Sequence, residues 1–444
     1  MRYRSILTLG LLAAATGCDL FDNALGVKSP TNIPASGLET PANALPLVNG
    51  AIADFECAAG AYSVMGGLIS DELIDATQTA DRFPYERRRM VSSDRRYAVN
   101  TCIGLGVYTP LQTARFSALN VRSLLQGWTD AEVPSRDSLI ATMHAYEGYS
   151  LVLLGEGFCS MVVSTLDANR QVVYGGEIQR DSVFKLAVAA FTSAASGAGG
   201  SDITNMALVG RARAYTDLGQ FALALADAQA VSPAYVKNVM ASSINVRRNN
   251  RVWQENSATS SNATLDTTYT KMNDPRVPFA DKGRNSVTGY HLYRQDKYTA
   301  SSSPIRLASR DEARLIIAEA NVAVRDFVGA DSIITNFRAR GGQGAFTSVD
   351  SATVADSLFD QRKREFFLEG QHLFDLVRFS KTPNPPDGTA FNPGGTYGSQ
   401  LCLRRALCIV STHVMMLYAC CHSSRTANAR TGKLPIPFTG GGTA

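Results

Sequence analysis

Residues 207–233 read ALVGRARAYTDLGQFALALADAQAVSP, and this stretch decides the fold class. Small and apolar residues recur at helical spacing as far as Leu218-Gly219, which supplies a helix stop. A second helix begins about Phe221, and Pro233 ends it, because proline cannot donate the backbone hydrogen bond that a helix interior needs. Ala224 and Ala228 are small enough to let two helices approach closely, while Tyr215 and Phe221 are large enough to fill the gap. The stretch predicts a helix, a tight turn and a second helix folded back on the first.

That pattern resembles the helix–turn–helix of a tetratricopeptide unit. An αα-hairpin of ordinary core residues is the alternative, since Pro233 arrives about three residues early and no clean repeat of about 34 residues accompanies it. Working outward toward the N-terminus, helical periodicity predicts Ala44–Ile74, with Gly60, Gly66 and Gly67 marking close packing or a break. It also predicts Tyr108–Gly127, Asp137–Gly155 and Ser182–Ser196. Toward the C-terminus, Ser309–Asp326 opens with Ser309 as N-cap and Glu312 three residues on, a capping box. Asp331–Arg340 and Val354–Phe379 follow, the latter closed by Pro383, Pro385 and Pro386. Asp311, Glu312 and Glu319 beside Arg310 and Arg314 read as a solvated or salt-bridged helix face. Residues 232–302 are different: polar, loop-like, and interspersed with Trp253, Tyr269, Tyr290, Tyr293 and Tyr298.

The 444 residues are 45% apolar and 18% charged, which suits a globular chain with a substantial core. The formal charge of +4 is not spread over the body of the chain. Arg2 and Arg4 sit at the N-terminus, and Arg404, Arg405, Arg425, Arg430 and Lys433 lie in a stretch, 388–444, that has no acid. Elsewhere only short runs such as Arg87–Arg89 occur, so a nucleic-acid partner is not expected.

Residues 1–17 carry two early arginines and then an apolar run from Ile6 to Ala15, the pattern of a secretory signal peptide. Cys18 after Thr-Gly resembles the bacterial lipoprotein box, so lipidation at Cys18 is expected, with residues 18–43 as anchor and tether. An ordinary cleaved signal with an incidental Cys18 is the alternative. Eight cysteines are present, and setting Cys18 aside leaves an odd number, without any CxxC. The acid-free, Cys- and Met-rich run 404–444 is read as an anomalous tail produced by a frameshift after Cys402. Cys57, Cys102, Cys159 and Cys402 then remain, with three pairings open. Cys57–Cys102 with Cys159–Cys402 is the expected one, and buried free thiols are the alternative.

Recognisable catalytic chemistry is missing from the sequence. It has no phosphate loop, no HExxH and no GxSxG, and Gly104-Leu105-Gly106 lacks the third glycine of a dinucleotide loop. His144, His291, His372, His413 and His422 lack metal spacing, and His144 reads as a core group. No catalytic residue, metal or cofactor is expected.

Several segments together resemble the SusD/RagB family of outer-membrane nutrient-binding lipoproteins. They are Cys18-Asp19, Tyr108–Arg115 (YTPLQTAR), Gly155–Cys159 (GEGFC), the DPR of Asn273–Phe279, the AEA helix Glu312–Ala320 and the N-x-x-R-x-R-like Ile334–Arg340. The strongest is Arg362–Arg378, RKREFFLEGQHLFDLVR, similar to the family's ER-x-x-EL-x-x-EG-x-R-x-x-DL-x-R. Gln361 replaces the usual Glu and His372 the usual Arg.

The resemblance implies a mainly α fold, with tetratricopeptide-like helix pairs packed against an irregular, loop-rich ligand-binding half. The expected organisation is 44–231 (N-terminal helical part), 232–302 (loop-rich), 303–403 (C-terminal helical part) and the tail 404–444. It also implies a surface lipoprotein of the outer membrane that passes a glycan or other nutrient to a SusC-like TonB-dependent barrel, and that is not an enzyme. The motif residues Arg364, Glu365, Glu369, Asp375 and Arg378 are expected to tie a helix to its neighbours through buried ion pairs. Sugars stack C–H faces on aromatic rings, so Trp253, Tyr269, Tyr290 and Tyr293, in polar loops, are the expected ligand contacts. The alternatives are a helical-repeat scaffold lipoprotein without a small ligand, and a surface glycosidase.

Overall fold

The computed structural model describes residues 35–90, 99–392 and 394–398. The signal peptide, Cys18, Cys402 and the tail 404–444 lie outside the described residues.

The chain enters through a short turn at Ala35–Leu38 and continues into helix α1, Ala44–Ile69. The first half of α1 is amphipathic, with Val48 and Ala51 inward, whereas every residue from Phe55 to Ile69 is buried. Its alanines and glycines explain that difference: a helix enclosed on all sides needs small residues wherever a neighbour's backbone comes close. Gly60, Gly66 and Gly67 do not break it. A Cβ on Gly66 would lie 3.5 Å from the backbone of Gly370. The helix stops at Ile69 rather than Ile74, because Asp71 takes a left-handed conformation (φ 75°) and strand β1, Leu73–Asp75, follows.

Helices α2 (Tyr108–Gly127) and α3 (Arg136–Gly157) pack against α1. A two-stranded ribbon, β2 (Ser160–Leu166) and β3 (Val172–Gln179), leads to α4 (Arg180–Ser196), α5 (Gly200–Asp217) and α6 (Phe221–Ala230). Phe191 on α4 is the wedge of this layer: a Cβ on Gly148 or Gly210 would come within 2.7 Å or 2.3 Å of its ring. The α5–α6 pair turns where the sequence predicts, on Gly219 at φ 73°. Ala224 and Ala228 are buried at the crossing, and Arg211 clamps Asp227 with two bonds of 2.6 and 2.7 Å.

Residues 232–302 carry more regular structure than their composition suggests. They hold β4 (Val236–Val239), α7 (Arg251–Glu255), β5 (Ala263–Leu265), β6 (Phe279–Asn285) and β7 (His291–Gln295). Strand β8 (Ile305–Ser309) pairs antiparallel with β4, β5 with β1, and β6 with β7. These strands are short and paired with distant segments, so local alternation does not reveal them.

The C-terminal helices are α8 (Arg310–Ala323), α9 (Phe327–Arg340), α10 (Ser351–Glu365) and α11 (His372–Arg378). Leu315, Ile334, Phe337, Leu358 and Phe366 form a second core among them. The single helix expected over Val354–Phe379 is two. Leu368 and Gly370 take left-handed φ of 57° and 85°, and the Leu368 N–H turns aside to donate to Glu72 Oε1 at 2.7 Å. The capping box is half formed: Ser309 Oγ accepts from the Glu312 N–H at 3.1 Å, but the Glu312 carboxylate faces Arg213 instead, at 3.6 Å. Of the acids assigned to a solvated or salt-bridged face, only Asp311 lies near the surface, bonded to Arg340 at 2.8 Å. Glu312 and Glu319 are buried.

Candidate ligand-binding site

The two halves are joined by buried charge. Arg362 forks onto Asp375 with two bonds of 2.9 Å, and Arg378 reaches Asp375, Glu319 and Asp217 at 2.7, 3.2 and 3.3 Å. Arg213 forks onto Glu156 at 2.6 Å. Burial alone would raise the Asp375 carboxyl, but Arg362 and Arg378 outweigh it and hold the group below the usual carboxylate range. Glu312 sits among the same charges with Arg213 3.6 Å away, and burial pushes it up to about 7 despite Arg213 and Arg362.

The remaining motif residues fasten the loop-rich half. Glu365 and Glu369 both hold Arg306, at 2.9 and 3.0 Å, and Glu369 also takes Lys297 at 2.7 Å. Arg364 bonds Asp360 at 2.9 Å and Asp274 at 3.2 Å, and Asp274 binds Arg276 of its own DPR turn at 2.7 Å. The two departures from the family pattern find local partners. Gln361 Oε1 accepts from Arg276 at 3.0 Å, and His372 Nε2 lies 3.3 Å from Asp71.

Above this frame, three segments distant in sequence are stitched together. Asp75 N–H and the Tyr397 hydroxyl donate to the two oxygens of Glu86, at 2.8 and 3.0 Å. Burial nevertheless pushes the Glu86 carboxyl up to about 7. Arg82 donates to Glu255 and Thr77, at 2.9 Å each. Thr288 Oγ1 donates to the Ala76 carbonyl at 2.9 Å, and Gln78 Nε2 to the Asn392 carbonyl at 3.0 Å. Residues 71–90, the β6–β7 hairpin and residues 384–392 and 394–398 are thus tied together by polar contacts, several of them buried. The first and last of these segments were not singled out by sequence reasoning. Their partners lie hundreds of positions away, and nothing in TQTADRFPYERRR marks it locally.

The structure sorts the four expected aromatics. Tyr290 and Tyr293 share the β6–β7 hairpin and are half-buried, each with part of its surface toward solvent. Tyr293 packs edge-on against Phe279, and His291, two residues earlier on the same strand face, lies 4.8 Å from it ring to ring. His291 Nε2 is 2.6 Å from Asp281 on β6. Trp253 lies on α7, half-buried against the core, and Asn256, just past the end of α7, donates to the Tyr293 carbonyl at 2.8 Å. Tyr269 is a correction. It is fully buried, stacked on Phe367 at 5.2 Å with Lys363 Nζ 4.4 Å from its ring, so no face is left for a ligand. Cys57 and Cys102 form a disulfide with Cα atoms 5.8 Å apart. Cys159 is also disulfide-bonded, and its expected partner Cys402 lies outside the described residues. Among the described residues, no helix is long and apolar enough to cross a membrane.

A scaffold of helix pairs packed against an irregular, loop-rich half is the class of protein that this arrangement defines. Residues 235–410 match the model described as the SusD family. No curated protein matches the chain in sequence. Among solved structures, a SusD superfamily protein from Parabacteroides distasonis superposes with a TM-score of 0.63 at 11% identity, covering 84% of this chain and 96% of that one. A SusD-like carbohydrate binding protein from Bacteroides vulgatus gives 0.60 at 13% identity, with 86% and 96% covered. Surface glycan-binding protein A from Bacteroides fluxus gives 0.59 at 14%, with 76% and 89% covered. The SusD/RagB resemblance of the sequence holds, in the family match over 235–410 and in a SusD-like fold.

Proposed function

We propose that this chain is a non-enzymatic, surface-exposed outer-membrane lipoprotein, anchored through Cys18, that binds a glycan and passes it to a TonB-dependent β-barrel transporter. The observation that carries the binding step is the half-exposed pair Tyr290 and Tyr293 on one hairpin, beside His291 and Asp281. An aromatic face takes the C–H side of a pyranose, and adjacent carboxylate, imidazole and amide groups take its hydroxyls. The glycan-binding descriptions of the Bacteroides relatives support the same ligand class. Trp253 belongs to this surface as an outlying contact, and Tyr269 does not.

The test is calorimetric titration of the protein with a panel of soluble polysaccharides, followed by Tyr293→Ala and Trp253→Ala against any glycan that binds. Loss of affinity in Tyr293→Ala with an unchanged thermal midpoint is expected. Binding that survives Tyr290→Ala, Tyr293→Ala and Trp253→Ala together would move the site elsewhere. Release of reducing sugar from the bound glycan would restore the glycosidase alternative.

A further inference from the structure

The β6–β7 hairpin holds two cations beside its aromatic rings. Lys282 Nζ donates to the Ser260 carbonyl at 2.6 Å and to Ser261 Oγ at 2.8 Å. Arg284 Nη2 donates to the same hydroxyl at 3.3 Å. Sharing one acceptor keeps the two charged nitrogens within about 6 Å of each other. Among the described residues, neither cation pairs with a carboxylate. Like charges this close repel. Burial first, then the guanidiniums of Arg284 and Arg294, hold the Lys282 ammonium below the ordinary lysine pKa.

The acids of the neighbourhood are committed elsewhere. Asp296 takes Arg294 in a fork of 2.6 and 3.2 Å, which neutralises the third cation. Asp281 pairs across the hairpin with Tyr293 and lies 2.6 Å from His291 Nε2, so alternation turns the next residue, Lys282, to the opposite side. Asn285 pairs with His291, and their neighbours Arg284 and Tyr290 turn to that opposite side together. The register shifts between these pairs, at Gly283 (φ 64°), and the shared contact with Ser261 keeps both cations on one side across the shift. Glu255, before the loop that holds Ser261, is bonded to Arg82 at 2.9 Å. Positive charge is therefore left over beside Tyr290.

The surroundings are ordered. Ser261 bridges to Asn256, and Ser257 Oγ accepts from the Ser260 N–H at 3.1 Å. The Ala76 N–H donates to the Asn262 carbonyl at 2.9 Å, and the Ala76 carbonyl is the acceptor of Thr288 on the hairpin. Arg284 is exposed, and Lys282, Ser261 and Tyr290 are half-buried, so each offers surface to a ligand. A neutral sugar leaves the two charges uncompensated. A carboxylate or sulfate bridges them, taking Arg284 as a fork and Lys282 as a point charge. The ring of Tyr290 takes the C–H face of the same sugar or its neighbour. We infer that the ligand of this hairpin is an acidic glycan, with a uronate carboxylate or a sulfate ester held between Lys282 and Arg284. This rests on the glycan-binding reading above and narrows it.

The experiment is calorimetric titration of the tagged chain with polygalacturonate and with a sulfated galactan. The same polymers after carboxyl reduction or desulfation, with dextran and xylan, are the neutral arms. Binding of one acidic polymer is expected, weakened about tenfold or more when that polymer is neutralised, and which one binds tells carboxylate from sulfate. Lys282→Gln with Arg284→Gln should lose about tenfold or more in affinity for it, at an unchanged thermal midpoint. Exposed Lys185 on α4 is the control, and Lys185→Gln should lose nothing. Because Lys282 is half-buried, Arg284→Gln and Arg284→Lys are titrated singly as well: the first should weaken binding and the second keep it. An equal loss in Lys185→Gln would mean diffuse attraction of a polyanion and overturns the inference. Binding of neutral polymers alone, or full acidic binding in the double variant, overturns it and leaves the glycan reading standing. No binding of any polymer overturns both.

Discussion

Arg362 and Asp375 meet in a two-bond fork, 2.9 Å for each bond, across a break in the chain between α10 and α11. Both side chains are almost wholly enclosed. The fork holds the two helices in register where Leu368 and Gly370 interrupt them, and through Arg378 it continues to Asp217 at the end of α5. Removing one partner leaves a buried charge uncompensated, which typically costs about 3–5 kcal/mol. Asp375→Asn is therefore expected to lower the urea-unfolding free energy by roughly that amount. The double replacement Arg362→Met with Asp375→Leu is expected to lose less than Asp375→Asn alone, because no charge is stranded.

Stability is expected to peak in mildly acidic solution. Asp375 and Asp71 are held below the ordinary carboxylate value in the fold: burial opposes this, but Arg362 and Arg378 win for Asp375, and His372, Lys363 and the Asn384 N–H win for Asp71. Their stabilisation is present above the unfolded value of 3.8 and is lost as pH falls through the lowered folded value. Glu72, Glu86 and Glu312 behave oppositely, raised by burial from 4.5 to about 7. The fold binds their protons more tightly than the unfolded chain, so stability falls as pH rises from about 4.5 to 7. Thermal unfolding from pH 3 to 8 should give a midpoint that is highest near pH 4.5–5. A monotonic rise toward pH 8 would contradict the buried-carboxyl assignment.

Phe191 has room only because two helices, α3 at Gly148 and α5 at Gly210, lack side chains beside it. Gly210→Ala would place a Cβ 2.3 Å from the ring, and overpacking of this kind costs about 1–3 kcal/mol. Chemical denaturation should show that loss, and Phe191→Leu in the same chain should recover part of it. A Gly210→Ala protein as stable as the parent would mean that the wedge is not there.

Tyr269 and Tyr293 should separate cleanly when each is truncated. Tyr269→Ala removes a buried ring stacked on Phe367, with an expected loss of about 3–5 kcal/mol in stability. Tyr293→Ala should leave the unfolding midpoint within a few degrees of the parent. If the glycan reading holds, it should weaken binding by up to about tenfold, the scale of one aromatic contact. Stability curves and titrations on the same two preparations decide this.

Much of the helical half is legible in the sequence. Tyr108–Gly127 is found with the predicted bounds, and the turn at Gly219 falls where Leu218-Gly219 places it, because small-residue periodicity and a glycine stop are local signals. The break at Leu368–Gly370 is not legible, since the charges of Arg362–Arg378 keep helical spacing through it and the cause is Glu72, far away in the chain. The same limit applies to the site. Tyr269 and Tyr293 sit in equally polar sequence, and what separates them is Phe367, which arrives from the C-terminal half to cover one ring. Glu312 reads as an exposed capping partner until Arg213 on α5 is brought beneath it. Glu86 and Tyr397 tie two distant segments together through a buried contact that no local pattern announces.

The measurement that tests the account most directly is purification of the tagged chain from its native envelope in mild detergent, with mass spectrometry of the companions. Near-stoichiometric recovery of a TonB-dependent barrel is the predicted result. Recovery of envelope scaffold proteins and no barrel would contradict it, and would leave a helical-repeat scaffold as the better description.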